Sequence, residues 1–276
     1  MKIGINLPVA DLQEDLGAIA DFARAADELG YNHLIVPDRV LRQEEGHRHE
    51  VLMLLAYIAA ITERIELVPS VVISPSRQTP LLAKQVCELE VLSGGRVRFG
   101  VGVGASAAEY EAQGADFSTR GVRLEEQIEV LRRLWTEETV SFDGRFHTID
   151  QCRLEPRPGA PIPIWIGAGR LPGRRITDRM GRLADGWFAL CGPDDFGELS
   201  SAIDEAAVAA GRDPGTIGSE AVVPIVGEDN ADWRDRVERW REAGVTHLAL
   251  RTVRAGLPRD QQIRVMTEAA DGLLDG

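Results

Sequence analysis

Eight short apolar runs alternate with eight segments of helical periodicity along the chain, and this strict alternation constrains the fold more than any other feature of the sequence. The first run, Ile3 to Leu7, ends at Pro8; Leu16, Ile19, Ala20, Ala23 and Ala26 then follow helical spacing as far as Gly30. His33 to Val36, closed by Pro37, precedes a second helical stretch from Glu50 to Thr62. Ile65 to Ile73 is rich in β-branched residues and leads to a helix that Thr79 would cap, with Pro80 in its first turn, Leu82, Val86 and Leu89 inward and Gly94 at its end. Val97 to Val103 forms the fourth run, and a long connection from Gly104 to Ser118 separates it from a helix marked by Leu124, Ile128, Leu131 and Trp135. Residues 136–162 break the rhythm with Pro, Gly and isolated aromatics, and Phe142 to Phe146 reads as a small hairpin. The alternation resumes with Ile164–Ile166, a helix after Pro172, a strand at Asp185–Phe188 and a helix from Pro193 to Ala210. Ile217–Val226, a helix through Trp233, Val237 and Trp240 to Gly244, Val245–Leu250 and a last helix complete the series.

Alternating β and α elements call for an α/β fold with a parallel sheet, and eight repeats call for its closure into a (β/α)8, or TIM, barrel with a short insertion after the fourth helix. A doubly wound open sheet is the competing arrangement. The 276 residues suit one barrel, so residues 1–276 are expected to form a single domain. In such a barrel the chemistry sits where the strands end, which makes the residues following each run the ones to inspect.

Composition narrows the chemistry. With 31 basic and 44 acidic residues the net charge is −13, which opposes sequence-independent binding to nucleic acid or an anionic membrane. Cys87, Cys152 and Cys191 show no CxxC spacing, so neither a disulfide framework nor a zinc knuckle is expected. The start of the chain is too short for a signal h-region and no window approaches 18 apolar residues, giving the expectation of a cytoplasmic protein. The only lysines, Lys2 and Lys84, lie at a strand start and inside a helix, which argues against Schiff-base chemistry. His47 and His49 precede a helix, and His33, His147 and His247 form no ligand-spaced set, so no metal is expected. Cys191 lacks a nearby histidine and reads as an incidental thiol.

At the strand ends, Asp38, Arg39 and Arg42 fit either a functional cluster or a solvated loop salt bridge. Ser70 to Ser76 brings hydroxyls and little bulk. Gly100, Gly102 and Gly104 alternate, so they share one face, leaving room for close packing or for a flat ligand in the barrel mouth. Glu109 and Tyr110 offer an acid and a phenol for proton transfer, or a cap for their loop. Gly167 to Arg175 joins glycines at a helix start to Arg170, Arg174 and Arg175, where backbone N–H groups, helix dipole and guanidinium forks would meet a phosphate. Five arginines fall between Arg170 and Arg182, and a solvated basic helix face is the plain alternative.

The stretches ADELGY at 26–31, VPD at 36–38, LLAKQ at 81–85, LSGGR at 92–96, FGVGVG at 99–104, PIPIWIG at 161–167 and LADGW at 183–187 run in order over nearly the whole chain. In them the sequence resembles the bacterial luciferase-like monooxygenase superfamily, and more closely its deazaflavin-dependent oxidoreductase branch. The resemblance implies a barrel that binds coenzyme F-420, or FMN as the alternative, at its C-terminal mouth. It implies a lining of Asp38, Ser70, Val71, Val72, Gly102, Val103, Gly104, Gly167, Ala168, Gly169, Arg174, Arg175 and Trp187, with a non-proline cis peptide near Ser70–Val72. Arg39 and Glu109 would orient substrate or move a proton. The sequence departs from the resemblance where Arg39 replaces the histidine of many relatives, and where Ala105 stands in place of the acid that sugar-phosphate dehydrogenases of the branch carry after these glycines. The expected activity is hydride transfer between F-420 and a small organic substrate. The alternatives are an FMN-dependent monooxygenase fed by a partner flavin reductase, and a non-catalytic cofactor-binding barrel. Relatives commonly pair as homodimers, and the aliphatic helix from Glu50 to Thr62 offers a surface for this.

Overall fold

The computed structural model describes residues 1–41, 49–169, 172–227, 230–253 and 257–274. Arg42, His47 and Arg170 lie outside the described residues. The barrel strands are β1 (Lys2–Asn6), β2 (His33–Val36), β3 (Glu66–Pro69) with β4 (Val72–Ile73), β5 (Phe99–Gly102), β8 (Ile164–Gly167), β9 (Gly186–Ala189), β10 (Gly218–Pro224) and β11 (His247–Arg251). They pair in parallel in the order β3-β2-β1-β11-β10-β9-β8-β5-β4. The third run, expected as one strand from Ile65 to Ile73, is broken: the Ser70–Val71 peptide is cis and separates β3 from β4. Below the break Leu67 bridges Val97; above it Val72 pairs with Val101 and Ile73 with Gly102. One interrupted strand therefore closes the sheet on itself into the expected (β/α)8 barrel.

Among the described residues eight helices wrap the strands: α2 (Leu16–Glu28), α3 (Val51–Ala59), α4 (Thr79–Ser93), α6 (Arg120–Thr136), α7 (Arg174–Leu183), α8 (Pro193–Ala209), α9 (Trp233–Glu242) and α10 (Arg259–Ala270). Two short helices, α1 (Val9–Leu12) and α5 (Ala107–Ala112), add turns that no periodicity announced. The caps follow local chemistry. Asp15 accepts from Ala18 N–H and Glu50 from Met53 N–H, while Gly94 takes the left-handed conformation that ends α4. At the start of α4 the expected cap is displaced by one residue: Gln78 occupies the cap position and Thr79 is the first helical residue. The Thr79 hydroxyl is committed elsewhere, 2.5 Å from His147 Nε2 and 2.9 Å from Gln127 Nε2.

His147 belongs to the insertion, an antiparallel hairpin of β6 (Val140–Asp143) and β7 (Thr148–Cys152), as the sequence predicts. Glu126 of α6 fastens it, accepting from the N–H groups of Arg145 and Phe146 at 2.8 Å and lying 2.7 Å from His147 Nδ1. Among the described residues no helix is long and apolar enough to cross a membrane.

Candidate functional site

Parity along each strand decides what faces the barrel axis. A Cβ on Gly4 would run into the His33 ring, and His33 reaches across the barrel to Glu220 at 2.8 Å, so Gly4 and His33 point inward. The same alternation turns Ile35, Val68, Trp165, Phe188 and Ala249 inward as a separate apolar layer, with Val71 and Val222 packed on it. Beneath this layer lies a buried polar base. Arg98 bonds Glu220 at 2.5 Å and Glu66 at 2.7 Å, and its guanidinium stacks 4.2 Å above the Trp165 ring. Burial opposes the charge on Glu220, yet Arg98 and His33 hold its carboxyl down to about 2. Burial, helped by the neighbouring Arg98, pulls the His247 ring down to about 3. The base is thus closed, and the apolar layer forms the floor of a mouth at the opposite end.

The rim departs from the sequence expectation in instructive ways. Gly100, Gly102 and Gly104 do share the inward face, but the space they leave is already filled. A Cβ on Gly102 would lie 2.6 Å from Val71 Cγ2, and one on Gly167 2.8 Å from Val71 Cγ1. Gly104, at φ +64°, would place a Cβ 2.8 Å from Ile73 Cγ2. The glycines therefore seat the side chains flanking the β3–β4 break, and a flat ring would rest on Val71 rather than in a glycine gap. Val72, paired with Val101, and Trp187 are turned into the helix layer, so neither side chain reaches the mouth. Trp187 stacks on Phe196 at 5.2 Å, and its strand neighbour Phe188 takes the inward position expected of it. Gly186 carried the signal for this, since it lies against the Trp165 ring and fixes the parity of β9.

The Asp38 side chain is buried and engaged through both carboxylate oxygens. It takes two bonds from Arg77 Nη2, at 2.8 and 2.9 Å, and one from Ile73 N–H at 3.1 Å. Burial pushes its carboxyl up, against the pull of Arg77. Asp38 thereby ties the end of β2 to the upper side of the strand break instead of facing a ligand. Arg39 and Glu109, the two proton-transfer candidates, are each other's partner at 3.1 Å. Glu109 also accepts from the N–H groups of Val40 at 3.0 Å and Leu41 at 3.4 Å, so its buried carboxylate straps the loop after β2 onto α5. Tyr110 donates to Val103 O at 2.7 Å, and burial raises its phenol to about 12, which leaves it as a loop cap.

Half-buried Ser70 and Ala168 stand at the rim, and Gly169 is exposed beside the start of α7. That helix begins at Gly173 with no side-chain cap, leaving its first N–H groups open. Of its arginines, Arg179 and Arg182 are spent on Glu125 at 3.0 and 2.9 Å. Arg174 and Arg175 are exposed, and among the described residues their guanidinium groups have no partner. Open N–H groups, helix dipole and two uncommitted guanidiniums suit an anionic group. Cys191 is half-buried beyond β9, and no group of three or more His, Cys, Asp or Glu among the described residues is placed to hold a metal ion.

Comparison with known proteins places these features in context. A family model described as luciferase-like monooxygenase matches residues 1–273. The chain is 31% identical to an F420-dependent glucose-6-phosphate dehydrogenase of Kineococcus radiotolerans, over 83% of this chain and 70% of that protein. It is 30% identical to an F420-dependent hydroxymycolic acid dehydrogenase of Mycobacterium tuberculosis, over 86% of this chain and 67% of that protein. Among solved structures, monooxygenase RslO1 from Streptomyces bottropensis superposes with a TM-score of 0.82 at 22% identity, covering 100% of this chain and 99% of that one. An F420-dependent secondary alcohol dehydrogenase, bound to an F420-acetone adduct, also reaches 0.82, at 16% identity and 97% of both chains. Identities this low speak for the fold alone.

Proposed function

The chain belongs to the luciferase-like monooxygenase family, and from that premise we propose that it is an oxidoreductase that passes hydride between coenzyme F-420 and a small organic substrate. The observation that carries this reading is the pairing of an apolar inward floor with an uncommitted cationic helix start on the same rim. A flat, largely apolar ring suits the first and an anionic tail the second.

The residues present fit the cofactor. Val71, seated against Gly102 and Gly167, would back the ring, and Phe188 would complete the floor. Gly169, the open N–H groups of α7 and the Arg174 and Arg175 side chains would hold the phosphate and carboxylates of the tail. The deazaflavin supplies the hydride chemistry; the protein supplies position, exclusion of water and a fixed field. Val103, Ser70 and Ala168 contribute rim backbone, and Asp38 and Glu109 act through the loops they anchor. Arg39, held by Glu109 but part-exposed, is the charged side chain of this pair left to face a substrate.

Titration of the purified protein with F-420 and with FMN tests the reading. Tighter F-420 binding supports it. Tighter FMN binding favours a monooxygenase supplied with reduced flavin by a partner reductase, and F-420 binding with no turnover across a broad substrate panel favours a non-catalytic barrel. The reading extends to assembly: residues 1–276 act as one domain, and two copies pair through α3 and α4. Met53 and Tyr57 on α3, with Leu81 and Leu92 on α4, leave apolar surface exposed there.

A further inference from the structure

A groove of about 760 Å³ runs between α7 and α8 in the outer helix layer. That volume falls within the range of about 300–1,000 Å³ typical of small-molecule sites. One face of α8 makes its longer wall, since Asp195, Glu198, Ala202, Glu205 and Ala209 recur at steps of three and four residues. Leu199, Ala202 and Ala206 give it an apolar floor. The opposite helix packs against this wall at Gly181, where a Cβ would lie 2.7 Å from Ala206 Cβ, so close backbone packing fixes the spacing of the two helices.

Charge says what the groove would accept. Asp178 of α7 and Asp195, Glu198 and Glu205 of α8 line it against the single guanidinium of Arg174, a local charge of −3. Among the described residues none of the four carboxylates has an ion-pair partner, because the neighbouring cations are engaged elsewhere. Arg179 and Arg182 hold Glu125, Arg212 holds Asp185, and Arg239 holds Asp194, the residue next to the unpaired Asp195. At 1.5 Å per residue, Glu198 and Glu205 stand about 10 Å apart along the helix and Asp195 lies about 15 Å from Glu205. These carboxylates do not converge on one metal ion, and among the described residues no group of three or more His, Cys, Asp or Glu does so. The matching occupant is therefore extended, with positive charges several ångströms apart and apolar links between them.

We propose that the groove between α7 and α8 is a binding site for a linear aliphatic polyamine, whose ammonium groups meet the carboxylates while its methylene links lie on Leu199, Ala202 and Ala206. Exposed ion pairs are individually weak, so the methylene contacts decide between ligands of equal charge. The assignment is independent of the cofactor reading, since no barrel-strand residue lines the groove.

Isothermal titration calorimetry of the full chain with spermidine, at about 0.1 M salt to screen the general negative field and without F-420, tests it. The expected result is one spermidine per chain, bound about tenfold more tightly than hexaamminecobalt(III), which carries the same charge in a compact shell without methylene links. Glu198→Gln with Glu205→Gln should weaken spermidine binding about fivefold at an unchanged melting temperature. Glu28→Gln with Glu63→Gln removes the same charge from α2 and the loop before β3, and should leave the affinity within about twofold. Ala202→Phe keeps every charge but fills the floor, and should weaken spermidine binding at least about fivefold. The proposal is overturned if spermidine shows no saturable one-to-one binding, if the compact cation binds as tightly, if the two charge-matched pairs of substitutions behave alike, or if a folded Ala202→Phe binds spermidine as well as the unaltered chain. Should Ala202→Phe not fold, the paired glutamate variants decide alone.

Discussion

Replacing Arg98 by Met strands a carboxylate at the base of the barrel. Glu220 is fully enclosed, with Arg98 at 2.5 Å and His33 at 2.8 Å as its partners, whereas Glu66 on the other side of Arg98 is partly exposed and can turn to water. Removing one member of a buried ion pair costs about 3–5 kcal/mol, because the other charge is left without compensation. Arg98 and His33 together hold the Glu220 carboxyl at about 2 against the opposing pull of burial, so the carboxylate stays charged after Arg98 is removed. Arg98→Met is therefore expected to lower the melting temperature by roughly 10 °C at pH 7, with a matching fall in the urea midpoint. Because the folded carboxyl titrates below its unfolded value, the stabilisation is complete above about pH 5 and is lost as pH falls through 4.5 toward 2. Arg98→Met combined with Glu220→Gln removes the stranded charge and should recover most of the loss. A single variant that costs less than about 1 kcal/mol, or a double variant no more stable than the single, refutes the view that this pair is held by mutual compensation.

Arg174→Ala with Arg175→Ala should weaken F-420 binding by about 2–4 kcal/mol in a fluorescence titration at low salt, with a smaller effect as ionic strength rises; unchanged affinity moves the anion site elsewhere. Glu109→Gln should lower kcat/KM only severalfold, since about 1 kcal/mol of loop anchoring is lost, and should leave the shape of the pH–rate profile unaltered. Loss of either limb of that profile would reinstate Glu109 as a proton-transfer group.

Much of the fold was legible because the alternation of apolar runs and helical periods fixes both the elements and their parallel order, and turn residues such as Gly94 and Gly244 mark where helices stop. The break between Pro69 and Val72 was not legible in the residues themselves, since Val and Ile suit a continuous strand equally well, but the family resemblance placed a cis peptide there and Ser70–Val71 has it. At the site, strand ends and the start of α7 could be located in advance, but the direction of each side chain could not. Trp187 and Phe188 are adjacent and equally apolar; a one-residue shift in parity sends one to the helices and the other to the axis. The fates of Asp38 and Glu109 depended on Arg77 and on backbone N–H groups far away in sequence, and composition carries no trace of such pairings.

The stacked base of Arg98, Trp165 and Glu220 makes the barrel a vessel with a single doorway. Traffic through one opening is sequential: whichever molecule settles deeper must arrive first and depart last, and nothing can be handed out through the back. Such an order is a property of plumbing rather than of chemistry, and it binds any two guests of which one seats beneath the other.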